Sequence, residues 1–305
     1  MIPFIGRRIL FDVLVLVGVL FLVDALVYLS GDPVRALVPP SAGPEVIERV
    51  RVLYGFDQPL PVQFLRFLSR AVQGDFGTSV RFGTPALGVV LERVPLTLLL
   101  GLSGLLIGLA IALPLGMLAA RRRGTWVDLT ARGVAVVGQG VPNFVMGPVL
   151  VLLFAVSLGW LPVSGASSPS SLILPAVVVG LGAAAGLTRI LRSALLEELG
   201  RDYVRTARAK GVSDRAVVRR HALRNAAIPV VTFLAFDIAA LLSGIVVVER
   251  VFQYPGMGLL ATQAITNRDI PVIQAFVFLA ALMIVTTNLL LDVAYVVIDP
   301  RVRVA

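Results

Sequence analysis

Residues 197–229 read EELGRDYVRTARAKGVSDRAVVRRHALRNAAIP, and the arrangement of the whole chain follows from how this stretch is read. It is the most polar segment of a very apolar chain, and it lies between the hydrophobic runs 172–188 and 228–248. Ten of the 27 Lys and Arg fall between Arg189 and Arg224. Residues 197–210 are rich in Ala, Arg, Leu and Glu, which predicts a helix. Gly211 can take a positive φ and end it. Ser213 suits the N-cap of a second helix, with Asp214 in its first turn. Pro229 is expected to open the next apolar run, where a missing N–H costs little. Basic loops between membrane spans often do no more than obey charge bias. A solvated loop, however, has no need of two short helices with apolar positions. Tyr203, Ala207, Val212, Val217 and Leu223 predict a small, partly apolar platform, a docking site for a cytoplasmic protein.

Composition supplies the surroundings of this platform. Hydrophobic residues make up 57% of the 305, and the mean hydropathy is +0.92. Several runs reach the roughly 20 residues that cross a bilayer. The expected fold class is therefore an all-α integral membrane protein with six transmembrane helices. A pI of about 11.0 could suggest nucleic acid. The chain has neither a separate basic domain nor an aromatic stacking motif, so no nucleic-acid partner is expected. Cysteine is absent, which excludes disulfides, thiolate metal sites and cysteine nucleophiles.

In chain order, residues 1–29 are a cytoplasmic start and a first span, with Asp12 and Asp24 toward its ends. Either acid would cost about 2.5–3.5 kcal/mol at the bilayer centre. Residues 30–93 form a long external loop or cap holding seven Arg and six acids. Within it, 44–73 has amphipathic helical spacing at Val46, Val50, Leu53, Phe64, Leu65 and Leu68. Gly55 and the pair Pro59/Pro61 divide it. Residues 94–305 make a core of five further helices, including the loop 189–227. The spans are expected at 94–120, 133–161, 172–188, 228–248 and 271–298, with 121–132 a short basic loop and 249–271 external. The third span is interrupted at Gln139, Gly140, Pro142 and Asn143, as happens in helices that line a ligand path or that are merely kinked. Trp160 suits an interfacial anchor, and the Gly and Ala residues of 180–186 allow close helix packing.

Charge sets the orientation. With both termini cytoplasmic, the inner segments hold 18 cations: two in the N-terminal stretch, four in 121–132, ten in 189–224 and two in 301–303. Setting aside the long first loop, to which the positive-inside rule does not apply, the outer segments hold two, Arg250 and Arg268. The 197–229 stretch is then cytoplasmic.

The chain has no Walker A sequence: its single lysine, Lys210, is followed by Gly211. If ATP drives it, another subunit must bind the nucleotide. A Ser–His dyad is excluded, because the only histidine, His221, sits in the cytoplasmic loop. His221 also lacks neighbours at metal-ligand spacing, so no metal site is expected. An aspartyl dyad of Asp237 and Asp292 would make an intramembrane protease, but neither lies in a protease motif. Asp237 either faces a translocation cavity, where it could meet the amino terminus of a peptide, or pairs with a partner helix or Asn288. Gln139, Asn143, Asp237 and Asn288 are the candidate pathway residues. An ion-gradient carrier or channel is the other transport class. It predicts an inverted repeat and charged relays; no convincing repeat is present, and the basic helix–Gly–helix platform would be unexplained.

The run Tyr203-Val-Arg-Thr-Ala-Arg-Ala-Lys-Gly211, with His221-Ala-Leu-Arg-Asn225 and Ile228-Pro229, resembles the EAA loop of ABC importer permeases. Thr206 and Ala207 match the start of that motif and Gly211 its glycine. Thr206 stands where the name-giving Glu usually does, as is common in the dipeptide/oligopeptide/nickel branch. Gly31-Asp32-Pro33, Leu53–Pro59, Gly74–Ser79, 249–258 and Asp299–Arg303 also resemble that branch. The resemblance implies a transport subunit without enzymatic activity that moves di- or oligopeptides across the inner membrane by alternating access. Nickel chelates, glutathione and glycosides are the other cargoes it leaves open. It implies a second permease, often a different chain, two ATPase subunits that carry ATP and Mg, and an extracytoplasmic solute-binding protein. No cofactor is expected on this chain. Tyr203, Thr206, Ala207, Arg208, Lys210, Gly211, Ser213, His221 and Asn225 are the expected ATPase-coupling residues.

Overall fold

The computed structural model describes residues 2–29, 34–38 and 41–298. Of helix residues 235–244 and 290–298 it describes the backbone alone. The side chains of Asp237 and Asp292, Gly31-Asp32-Pro33 and the Asp299–Arg303 ending therefore lie outside the described residues.

The helices are α1 (Ile2–Leu29), α2 (Val34–Leu37), α3 (Pro44–Tyr54), α4 (Leu60–Val72), α5 (Ala86–Leu91), α6 (Val94–Arg121) and α7 (Trp126–Gly140). They continue with α8 (Asn143–Leu150), α9 (Ile173–Leu199), α10 (Asp202–Ala209), α11 (Asp214–Ala216), α12 (Leu223–Phe252), α13 (Met257–Thr266) and α14 (Ile270–Ile298). Among the described residues four stretches are long and apolar enough to cross a membrane: 6–26, 86–121, 169–199 and 270–289. The pair α7–α8, bent by 105°, makes a fifth if it is one crossing. The expected six thus stand at four or five, the remaining segment being the 30-residue α12.

The chain forms two compact units, Met1–Leu96 with Gly256–Leu290, and Thr97–Pro255 with Leu291–Ala305. The core of the first is aromatic. Phe64 and Phe67 of α4 pack with Leu20, Phe76, Val90 and Leu260. The Phe67 and Phe76 rings are 6.1 Å apart, near edge-on. The amphipathic stretch does divide at Gly55 and the two prolines, but the buried face of α4 is Phe64, Phe67 and Ala71. Leu65, expected on that face, is exposed. The loop after Phe76 is tied down by a buried carboxylate. Ser79 Oγ donates to Asp269 Oδ2 (2.5 Å), as does the Arg81 N–H (3.2 Å).

The core of the second unit is built from small residues. Along α6, Gly104, Gly108, Ala112 and Gly116 recur every fourth position and are buried against α9. A β-carbon on Gly104 would collide with Val179, and one on Gly180 would sit 2.9 Å from the Gly104 carbonyl oxygen. Backbones this close gain dispersion contacts that bulkier side chains would forbid.

Four sequence expectations need correction. The 121–132 segment is not wholly a loop, since α7 begins at Trp126. The fourth span does not end at 188; α9 runs to Leu199 and carries Glu197 and Glu198 in its last turns. The helix expected over 197–210 is consequently two, parted at Gly200 and Arg201. Pro229 does not open a helix but lies within α12. Helical backbone is in fact unbroken from Asp214 to Phe252, through a wide π turn at Val217–Ala222.

Candidate functional site

The polar stretch folds into a platform on the end of α9. Gly211 has φ +79° and closes α10: its N–H reaches the Arg208 carbonyl (2.9 Å), and the Val212 N–H reaches that of Ala207 (3.2 Å). This paired closure is the Schellman arrangement, which favours glycine at the left-handed position. Arg208 Nε then donates to Asp214 Oδ1 (3.0 Å), bridging α10 and α11 across the turn. Ser213 takes the extended N-cap conformation without a side-chain capping bond.

A second brace lies at the opposite edge. Glu198 Oε2, on the last turn of α9, accepts from the Tyr203 hydroxyl (2.6 Å) and from Asn225 Nδ2 (3.2 Å). Asn225 also donates to the Tyr203 oxygen (3.3 Å). Three helices thus meet at one carboxylate oxygen. Burial, and then donation to Glu198, pushes the Tyr203 hydroxyl above its ordinary pKa of 10.0.

Apolar contacts hold the platform from beneath. Val218, Ala222 and Ala226 pack with Leu187, Leu191 and Leu195 of α9. Val204 and Val217 are fully buried. Tyr203, expected in the apolar set, is exposed, and the buried anchor is its neighbour Val204. Side chains one position apart on a helix point about 100° apart, so composition alone does not choose between them. Thr206, Arg208, Lys210, Gly211, Ser213, His221 and Asn225 are exposed and Ala207 is half-buried, leaving a polar surface.

Reading the sequence missed the group that fixes the platform's base. Asp128, in the first turn of α7, is 1% exposed and accepts from Arg192 Nε (2.6 Å) and Nη2 (2.8 Å) of α9. The Gly124 N–H donates to the same carboxylate (3.1 Å). The available signal was one acid in a segment of four arginines, RRRGTWVDLTAR. The period-four small residues of α6 were a second signal, legible as Gly-x-x-x-Gly-x-x-x-Ala-x-x-x-Gly.

Two of the four candidate pathway residues come together. The chain breaks between α7 and α8 at Val141–Pro142. Gln139 Nε2 lies beside Gly186, and Asn143 Oδ1 beside Gly182, one turn apart on α9. The Phe233 ring also covers Gly186. Asn288 is half-buried in α14, in the other unit.

Residues 112–304 match the binding-protein-dependent transport system inner membrane component family. The chain belongs to that family. Residues 1–101 match the N-terminal component of the same transport systems. The glutathione transport system permease protein GsiC of Escherichia coli (strain K12) is 42% identical over 293 residues, covering 94% of this chain and 96% of that protein. GsiC of Shigella dysenteriae serotype 1 matches equally. Among solved structures, an inward-facing form of the MetNI methionine ABC transporter aligns with TM-score 0.59 and 20% identity, over 69% of this chain and 96% of that one. An amino acid ABC transporter with histidines aligns with TM-score 0.55 and 16% identity, over 68% and 92%. These two likenesses concern the fold alone. A binding-protein-dependent inner membrane component is the multi-pass permease subunit of an ABC importer, here of the peptide/nickel family, and not its ATPase.

Proposed function

We propose that this permease moves small peptides, di- or oligopeptides and glutathione-like tripeptides among them, into the cytoplasm by alternating access. The observation that carries the cargo reading is the 42% identity to a glutathione permease along almost the full length of both chains. Both termini are cytoplasmic in this reading. Residues 1–29 enter the membrane, 30–93 form the outer cap, and 94–305 form the translocating core. The cap and the 249–271 segment receive the solute-binding protein. A second permease completes the pathway, and two ATPase subunits hold ATP and Mg.

The exposed surface that carries Tyr203, Thr206, Ala207, Arg208, Lys210, Gly211, Ser213, His221 and Asn225 inserts into the ATPase. Because Glu198 and the buried Val218, Ala222 and Ala226 tie that surface to α9, a push on the platform reaches α9 as a rigid-body displacement. Gln139 and Asn143 ride on the glycine face of α9, where they offer polar groups to a peptide backbone. ATP binding favours the outward-open state and hydrolysis returns it, so the nucleotide acts through its different affinity for the two states. The test is uptake into proteoliposomes holding the full complex, supplied with binding protein and internal ATP. Saturable accumulation of labelled glutathione or of a dipeptide supports the reading. Accumulation of a nickel chelate with no peptide uptake overturns the cargo.

A further inference from the structure

An arginine-lined cavity of about 500 Å³ opens where the end of α6 meets the platform. Arg121, Arg122, Arg123, Arg208 and Arg215 line it, against the single acid Asp214, which Arg208 already holds. A second groove of about 360 Å³ adjoins it and shares Leu118, Arg121, Arg215 and Val218. Its other walls are mainly apolar, and on α6 they reach back to Met117 and Pro114. Seven residues separate Pro114 from Arg121, so the groove climbs about 10 Å along a membrane-spanning helix. Trp126, 81% exposed and three residues beyond Arg123, suits the level of the headgroups.

We infer that the joined cavity and groove bind an anionic phospholipid, its phosphate among Arg121–Arg123 and Arg215 and an acyl chain along Pro114, Met117 and Leu118. Guanidinium groups match phosphate oxygens in pairs, which favours arginine at such a site. Basic pockets at the cytoplasmic ends of spans are a recurrent setting for acidic lipid heads. A soluble partner could satisfy the arginines but not a groove that rises into the hydrocarbon. The inference goes beyond the coupling reading, since Arg121–Arg123 lie outside the surface assigned to the ATPase.

The chain has two tryptophans, so in a Trp160→Phe background the difference between complexes with and without Trp126→Phe reports Trp126 alone. The full complex is placed in vesicles of phosphatidylethanolamine containing either brominated phosphatidylglycerol or brominated phosphatidylcholine, and quenching of Trp126 is read. Stronger quenching by phosphatidylglycerol is expected. The preference should fall about fivefold in Arg122→Gln and more than tenfold when Arg121, Arg122 and Arg123 are all Gln. Replacing the three with Lys should retain most of it, and this separates charge from misfolding. Equal quenching by both lipids in the parent protein overturns the site. So does loss of the preference on adding inorganic phosphate, which would make it a soluble-anion site. An unchanged lipid preference in the triple variant, together with lost ATPase retention, would assign the arginines to the protein partner instead.

Discussion

Helices α1 and α9 are nearly the same length, 28 and 27 residues, and both are apolar enough to span a membrane. The more apolar of the two is the less buried. The best stretch of α1 has mean hydropathy 2.7 and is 6% buried within the protein; that of α9 has 2.0 and is 72% buried. α1 turns large side chains such as Leu10, Leu14, Val15 and Leu22 outward. α9 instead offers Ala176, Gly180, Ala183, Ala184 and Gly186 to its neighbours. In lipid, burying a leucine gains little, because the tails are as apolar as the side chain. Apolarity therefore decides which helices enter the membrane, and side-chain size decides which become the interior. In the proposed coupling, α9, not the more hydrophobic α1, is the helix placed to pass a push into the core.

The comparison can be broken at several points. The largest effect is expected at the charged base of α9. Asp128→Ala leaves Arg192 mostly buried without its carboxylate and should cost about 3–5 kcal/mol. The thermal midpoint of the detergent-purified chain reads this directly. The next largest should come from bulk in the small-residue seam: Gly104→Val drives α6 off Val179 and should cost about 1–3 kcal/mol. Gly18→Val in α1 meets nothing within 4 Å and should stay within about 0.5 kcal/mol, so equal losses would erase the distinction between the two helices. Smaller again is the exposed pair Arg201–Glu197 (2.7 Å), where Glu197→Ala should cost about 0.2–1 kcal/mol, and less at high salt.

The smallest effect is a pH response at the edge of the platform. The Tyr203 pKa is raised in the folded state, so its contribution is fully present below its ordinary value of 10.0 and is lost as pH rises through the folded value. Hydrogen-exchange protection in α10, taken relative to the intrinsic rate at each pH, should fall over that alkaline range, and Tyr203→Phe should flatten the response. A pH response that survives the substitution would point to another group.

Much of this was legible in residues. The long apolar helices, the break near Pro142 and the polar helix–turn–helix platform follow from apolar length, breaker residues and charge. Gly211 was readable as the left-handed closure because only glycine takes φ +79° without strain. Local pattern failed where a long-range partner decides. Asp128 and Arg192 are 64 residues apart, and each alone looks like an ordinary loop or helix-end charge. The extension of α9 to Leu199 was hidden because polar residues suggest the end of a membrane span, while a helix can continue into water. Pro229 suggested a helix start, but the helix is already under way at Leu223 and carries Pro229 in its interior. The choice of Val204 over Tyr203 required knowing which side of α10 meets the turn at 217–222.

The most direct test of the account is recovery of partners on the full-length chain, solubilised from membranes, before and after Gly211→Pro. Proline cannot adopt φ +79°, so the turn between α10 and α11 must deform while the apolar face beneath it is untouched. The account predicts that the parent chain brings down a second permease and Walker-containing ATPases. The variant should keep the permease, lose the ATPases at least tenfold and lose ATP-driven uptake. Full ATPase retention and normal uptake in a folded Gly211→Pro chain would show that residues 197–229 are not where the ATPase engages.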